Sequence, residues 1–214
     1  MTRNPKQIVS CGYDRCGLAY NDARAQDPSP ELALLIDALP AGARVLDIGC
    51  GGGVPTTSAL ARHASVVGVD ISAVQVEQAR KRVPEATIIH GDIMEQSFEH
   101  DSFDGVVSLY TLFHLPREQH RPLLERVSQW LRPGGHFLAT VADSSHPGYT
   151  EEDFFGATMY WSHFESEWYE AVLREFEFSI LHSGVMGHGY ESVPGVPAER
   201  HPVLFARFQH RNSS

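Results

Sequence analysis

Apolar and polar residues follow two rhythms along this chain, and the changes between them mark out its elements. Residues 29–39 (SPELALLIDAL) bring apolar side chains round at helical spacing behind Ser29 and Pro30, a cap residue and the early helix position that suits proline. Residues 44–48 (RVLDI) read as a buried strand; four glycines crowd into the next five positions, and a helix is expected over 54–63. VVGVD, ending at Asp70, is a second strand, and Ser72 caps a helix running to about Arg82. Further strands are expected over 85–92, 103–110 and 135–141, with a helix over 117–131 between the last two.

Strands apolar on both faces and alternating with helices specify a parallel sheet covered by helices on both sides. Residues 29–143 therefore read as one α/β, doubly wound unit. The alternation fails after Ala142. Residues 144–165 read as a small aromatic cap insertion, and 166–214 as a helix (165–176) and two closing strands (178–182 and 202–208) of the same unit. No helix separates those two strands, so they are expected to pair antiparallel at one end of the sheet. The Gly/Pro-rich loop 184–197 between them is expected to form a rim of the site.

Composition changes this picture by exclusion. A length of 214 residues with 42% hydrophobic content suits a single domain. A formal charge of −10 argues against a nucleic-acid partner, which calls for a basic footprint. No run approaches the ~20 apolar residues of a membrane span, and the polar start MTRNPKQ has no signal-like apolar stretch, so a cytoplasmic protein is expected. Cys11, Cys16 and Cys50 form neither a CxxC pair nor a metal-ligand spacing; reduced thiols and no metal are expected.

The glycine turn carries the first chemistry. In an open parallel sheet, ligands bind at the carboxyl ends of the strands, where this turn lies. A phosphate-binding P-loop ends in Gly-Lys-Ser/Thr, whereas this turn ends Gly53-Val54-Pro55. A dinucleotide fingerprint needs its third glycine where Val54 stands. The pattern present is Asp47-x-Gly49-x-Gly51-x-Gly53, and a carboxylate before the turn repels a pyrophosphate but suits an ammonium group. Asp70, closing the second strand, can accept from two ribose hydroxyls, and Ile71 can lie against an adenine face. Asp92 can accept from an adenine amino group, with the Ile93 amide available to a ring nitrogen. An adenosine carrying an amine and no phosphate is S-adenosylmethionine.

VLDIGCGGG, VVGVDIS, HGDIM, FDGVVSLYTLFHL and LRPGGHF occur in the order and spacing of class I S-adenosylmethionine-dependent methyltransferases, which the chain resembles over roughly residues 40–142. The resemblance implies a Rossmann-like, mostly parallel seven-stranded sheet with an antiparallel last strand. It also implies that Asp47, Gly49 and Gly51 surround the methionine part of the cofactor, that Asp70 holds the ribose, that Asp92 and Ile93 receive the adenine, and that Leu109 faces the sulfonium. YDRCGLAY is similar to the family's lead-in helix. By that likeness residues 1–28 cover the cofactor, Tyr13 and Tyr20 fold over it, and Arg24 reaches its carboxylate.

On the acceptor side, His114 after the fourth strand and His163 in the cap are candidate general bases, each with a structural hydrogen-bonding role as the alternative. His120 is expected on a solvated helix face. Eight aromatics between Tyr149 and Tyr169 are expected to divide between the cap's own core and an apolar wall, with Tyr110, Tyr160, Trp161 and His163 facing the acceptor. Nucleobase methyltransferases of this fold often carry Asn/Asp-Pro-Pro-aromatic after strand four, where this chain has Ser108-Leu109-Tyr110-Thr111. The expected function is methyl transfer to an oxygen or nitrogen of a small metabolite by direct displacement, releasing S-adenosylhomocysteine. An NAD(P)-dependent oxidoreductase and a non-catalytic adenosylmethionine-binding protein are the alternatives.

Overall fold

The computed structural model describes residues 4–24, 27–187 and 200–210. In chain order the elements are α1 (Pro5–Ala23), α2 (Pro30–Ala38), β1 (Arg44–Ile48), α3 (Thr56–Ala61), β2 (Ser65–Asp70), α4 (Ala73–Arg82), β3 (Thr87–His90), β4 (Phe103–Ser108), α5 (Arg117–Trp130) and β5 (Leu131–Thr140). They continue with β6 (His146–Phe154), β7 (Ala157–His163), α6 (Ser166–Glu175), β8 (Phe178–Met186) and β9 (His201–Phe208). The main sheet has seven strands in the order β3-β2-β1-β4-β5-β9-β8. Strands β1 to β5 pair in parallel, and β9 runs antiparallel to both β5 and β8. The expected α/β, doubly wound sheet with its antiparallel last strand is what forms.

Alternation along each strand feeds two cores, one per face. Leu46, Ile48, Val67, Val69, Phe137, Ala139, Leu204 and Ala206 pack with α5 and α6 through Leu123, Leu124, Val127, Val172 and Leu173. Val45, Val66, Val107, Leu138, Val203 and Phe205 pack on the other face with Leu32 and Leu35 of α2 and Leu60 of α3. Strands apolar on both faces are the sequence signature of such a sandwich.

Residues 146–163 form a separate two-stranded antiparallel hairpin, β6 with β7. It packs against α1: Val9, Cys16, Ala157 and Met159 are buried together, with Tyr13, Tyr20, Phe154, Tyr160 and Trp161 around them. The approach is close because Gly12 carries no side chain; a Cβ there would stand 2.8 Å from the Thr158 carbonyl oxygen.

Several element ends differ from the sequence expectation for local reasons. Helix α3 begins at Thr56, not 54, because a residue preceding proline is pushed out of the helical region, and Pro55 occupies the cap position. Strand β4 stops at Ser108 because Tyr110 takes a left-handed backbone, φ 59°. Strand β8 extends to Met186, absorbing Gly184 into the sheet. Residues 188–197 of the expected rim loop lie outside the described residues.

The largest correction concerns His120. It is fully buried at 0% exposure, not solvated. Its Nδ1 lies 2.7 Å from the Tyr169 hydroxyl and its Nε2 3.0 Å from the Leu115 carbonyl. The carbonyl can only accept, so Nε2 carries the proton and Nδ1 accepts from Tyr169. Ser162 of β7 donates to the same Leu115 carbonyl at 2.5 Å. A buried polar cluster thus ties α5, α6 and the hairpin to the segment leaving β4.

Burial lowers the His120 imidazole to about 4 from an ordinary 6.5. A folded-state value below the unfolded one means that stability is complete above about pH 6.5 and drains as pH falls, because the unfolded chain binds a proton that the core refuses. The expected loss between pH 7.5 and pH 5 is about 2 kcal/mol. Asp47, raised by burial to about 7, works in the opposite direction over this range, so the effect is isolated by difference. In urea unfolding, H120Q should be less stable than wild type at pH 7.5 and should lose about 2 kcal/mol less on going to pH 5. Equal losses in the two proteins would refute this assignment.

Candidate functional site

Strand order reverses between β2-β1 and β4-β5, so the segments leaving β1 and β4 diverge and open a crevice at their carboxyl ends. A cavity fills it. The wall includes Ile48, Gly49, Gly51, Asp70, Ile71, Asp92, Ile93, Leu109, Tyr110, Thr111 and His114; α1 closes the mouth with Lys6, Val9, Tyr13, Tyr20 and Asn21, and Arg24 follows at its C-terminal cap.

Gly49 and Gly51 both hold left-handed backbones, φ 74° and 53°. A Cβ on Gly49 would fall on the Thr111 side chain, so glycine allows the β1 turn to press against the segment leaving β4. A Cβ on Gly51 would meet nothing within 4 Å: it would project into open space where Gly51 lines the cavity. The Gly51 amide donates to Asp70 Oδ2 and the Ser72 amide to Oδ1, each at 2.9 Å. Each oxygen receives one backbone bond and retains a lone pair for a ligand hydroxyl. Burial raises the Asp70 carboxyl above its ordinary value, and those two backbone bonds pull it back.

Asp92 closes the far end of the cavity. Its Oδ1 accepts from the Met94 amide at 2.9 Å, capping a single 3₁₀ turn over Ile93–Glu95. Its Oδ2 is paired with the Lys6 ammonium of α1. Ser10 of α1 donates to the Ile71 carbonyl at 3.1 Å, and Asp14 accepts from the Ser72 hydroxyl at 2.7 Å.

The remaining expected residues divide into two groups. Tyr13, Tyr20, Arg24, Leu109, Tyr110 and His114 stand in the cavity wall. The Arg24 guanidinium lies 3.9 Å from the Tyr110 ring centroid and 5.6 Å from that of Tyr20. The His114 side chain bridges two partners at 2.9 Å each: Nε2 with the Tyr13 hydroxyl and Nδ1 with the Tyr160 carbonyl.

Asp47, Tyr160, Trp161 and His163 are not part of the wall. Asp47 is 2% exposed, and its Oδ2 accepts from the Thr57 hydroxyl at 2.7 Å. Burial pushes its carboxyl up to about 7; the Thr57 bond opposes the rise, and the Asp70 charge adds to it. Trp161 backs His114, ring centroids 4.3 Å apart, and packs on Phe154. His163 turns toward Ser144, whose carbonyl lies 2.6 Å from its Nδ1, and toward His146 and Tyr149. It is not a base for this cavity.

Lys6, Asn21 and Gln75 were not expected from the sequence. The Asn21 amide donates to Gln75 Oε1 at 2.8 Å across α1 and α4, and all three residues line the cavity. Spacing along the chain gives no signal for such pairs, because their members lie 54 and 86 residues apart. Among the described residues there is no group of three or more His, Cys, Asp and Glu side chains gathered as a metal would need, and no helix long and apolar enough to cross a membrane.

The family described as "Methyltransferase domain" matches residues 45–135. The chain is 39% identical over 104 residues to 27-O-demethylrifamycin SV methyltransferase of Amycolatopsis mediterranei, covering 45% of this chain and 38% of that protein. It is 38% identical over 149 residues to trans-aconitate 2-methyltransferase of Deinococcus radiodurans, covering 68% and 51% respectively. The chain thus spans about half the length, or less, of these two relatives. In fold it is similar to 1,6-didemethyltoxoflavin-N1-methyltransferase of Burkholderia thailandensis, with a TM-score of 0.68, 21% identity, and coverage of 98% of this chain and 92% of that one. That protein was crystallised with S-adenosylhomocysteine and 1,6-didemethyltoxoflavin. Motifs, sheet order and these likenesses agree: the domain belongs to the class I S-adenosylmethionine-dependent methyltransferase family.

Proposed function

We propose that this chain transfers the methyl group of S-adenosylmethionine to an oxygen or nitrogen of a small metabolite. The observation that carries the reading is the cavity itself. A glycine turn with room beside Gly51, the Asp70 carboxylate with a spare lone pair on each oxygen, and Asp92 all line it, which supports places there for the methionine part, the ribose and the adenine. The residues fit this cofactor better than a dinucleotide, since Val54 stands where the dinucleotide fingerprint has its third glycine.

When bound, the cofactor supplies a methyl group activated on a sulfonium, open to direct displacement. The protein's part is alignment and dryness. Asp70 would hold the ribose hydroxyls. Asp92 would take the adenine amine, exchanging or sharing its Lys6 partner, with Ile71 and Ile93 against the ring. Arg24 would meet the carboxylate. Helix α1 covers this length of the cavity and keeps water from the reacting atoms.

The small-metabolite reading rests on the enclosure of the acceptor end by Tyr13, Tyr20, Tyr110 and Leu109, whose rings and chains suit a small apolar body. The relatives are consistent with it: their names describe methylation of a rifamycin, of trans-aconitate and of a toxoflavin precursor.

Calorimetry with S-adenosylhomocysteine, and NADH as the control, tests the cofactor: 1:1 binding of the first and none of the second is expected. Binding of NADH alone would restore the oxidoreductase alternative. D70N should weaken S-adenosylhomocysteine at least tenfold, since hydrogen bonds to a charged group contribute ~1.5–3 kcal/mol each. Unchanged affinity in D70N would remove Asp70 from the ribose site.

The two glycines should separate in a paired experiment. G51A should fold, losing about 1 kcal/mol for its left-handed backbone, yet weaken S-adenosylhomocysteine by about tenfold or more as its methyl enters the cavity. G49A adds a steric overlap with Thr111 to the same backbone strain and should lose about 3 kcal/mol or more of stability in urea unfolding. Equal stability of the two variants would contradict the contact between Gly49 and Thr111.

A further inference from the structure

We propose that Arg126 is a positioning residue that holds Asp92 in place at the cavity, and that through Asp92 it makes the site select a purine with a 6-amino group over one with a 6-oxo group. The proposal rests on the reading of the cavity as an adenosylmethionine site.

The argument begins with how little else fixes this end of the cavity. Strand β3 is four residues long and stops at His90. From there to β4 the backbone has no regular element beyond the single 3₁₀ turn Ile93–Glu95. The carbonyls of such a stretch need partners from outside it. Arg126, half-buried on α5, supplies them: its Nη1 donates to the Met94 carbonyl at 2.7 Å and to the Gln96 carbonyl at 3.2 Å. Among the described residues no carboxylate pairs with this guanidinium. Its charge is directed at main chain instead, and hydrogen bonds from a charged donor are the stronger kind. The side chains of the same stretch sit on the same helix. Met94 and Phe98 pack against the core that contains Val127 and Trp130, and Phe98 stands edge-on to Trp130 with ring centroids 5.2 Å apart.

From the turn the hold passes to Asp92. The Met94 amide donates to Asp92 Oδ1 at 2.9 Å, and the Gln96 side-chain amide donates to the Asp92 carbonyl at 3.2 Å. The Glu95 amide donates to that carbonyl as well, at 3.0 Å. Met94 and Gln96 are thus each bonded to Arg126 through their carbonyls and to Asp92 through an amide. Lys6, itself in the cavity wall, pairs with Oδ2. Arg126 stands outside the wall and acts only through the turn.

A fixed carboxylate rejects as well as binds. Asp92, paired with an ammonium, is a carboxylate and only accepts hydrogen bonds. A 6-amino group donates to it. A 6-oxo group brings a second acceptor to the same place, so two sets of lone pairs face each other. That penalty requires stiffness, because a carboxylate free to swing aside escapes the repulsion and loses the favourable bond together. Arg126 supplies the stiffness. Its loss therefore narrows the difference between the two bases, whereas a general weakening of the fold lowers both affinities alike.

The test is calorimetry of the full chain with S-adenosylhomocysteine and with its 6-oxo counterpart, S-inosylhomocysteine. Wild type should bind the first at least tenfold more tightly. R126M, which keeps an apolar stem and removes the charge and every donor, should narrow that ratio at least threefold. D70N, on the ribose side, should weaken both ligands and leave the ratio alone. D92N should narrow the ratio as R126M does, and R126M added to D92N should move it less than twofold further, because Arg126 acts through Asp92. An unchanged ratio in R126M, or the same change from R126M with and without D92N, overturns the proposal. Should R126M fail to fold, R126Q decides in its place: it keeps a polar head without the charge or the reach, and a ratio narrowed at least twofold is expected, whereas an unchanged one overturns the proposal. A wild-type protein that binds neither ligand overturns the reading of the cavity and this proposal with it. One that binds S-adenosylhomocysteine without preferring it to S-inosylhomocysteine overturns this proposal only.

Discussion

The contact between Gly49 and Thr111 is the constraint on which the site depends. Strand order reverses between β1 and β4, so the two segments leaving the sheet there have no reason to stay together. A glycine without a side chain, in a backbone conformation that other residues adopt at a cost, lets the turn after β1 rest against Thr111. Thr111 is also the cap residue of the 3₁₀ turn Leu112–His114. The same contact that floors the cavity therefore fixes the start of the segment that presents His114. Downstream, Leu115 is anchored by His120 and Ser162, so the segment is pinned on both sides of the histidine.

Electrostatics explains why α1 lies where it does. Asp47, Asp70 and Asp92 bring carboxylates close to the cavity, and burial raises the first two toward protonation. Lys6 of α1 answers Asp92 as an ion pair, and Arg24, beside α1, adds a second cation to the cavity lining. The helix is thus held by complementary charge at Asp92 and by hydrogen bonds at Ile71, Ser72 and His114. Most of these anchors are main-chain or side-chain groups at strand ends, the part of the sheet to which a ligand would come.

The sheet was legible because a buried parallel strand has few ways to be written. RVLDI, VVGVD and FDGVVS are apolar on both faces, and the two cores take alternate residues of each. The glycine turn and Asp70 were legible because chemistry at a strand end is local in sequence. What could not be read was orientation within the hairpin. Tyr160, Trp161 and His163 are consecutive or nearly so, and pairing with β6 sends them to different places. The Tyr160 carbonyl goes to His114, the Trp161 ring goes behind it, and His163 turns away toward Ser144. Composition marks the segment as aromatic but not which face the cavity sees. His120 was misread for a related reason: a histidine on an amphipathic helix gives no sign that a tyrosine 49 residues later will receive it in the core.

These misreadings change what the cap contributes. An aromatic lid that touched the acceptor directly would supply shape alone. The hairpin instead packs behind His114, supplying a carbonyl that fixes one ring nitrogen and an indole that restricts the ring. The covering of the cavity comes from α1, near the other end of the chain. Tyr13 joins the two, since its hydroxyl meets the histidine while its ring packs on Tyr20 and Phe154. One helix therefore both excludes water from the cavity and carries the hydroxyl that completes the hydrogen-bonded chain to Tyr160. Exclusion of water strengthens each bond in that chain. Covering the cavity and completing that hydrogen-bonded chain are then a single structural event.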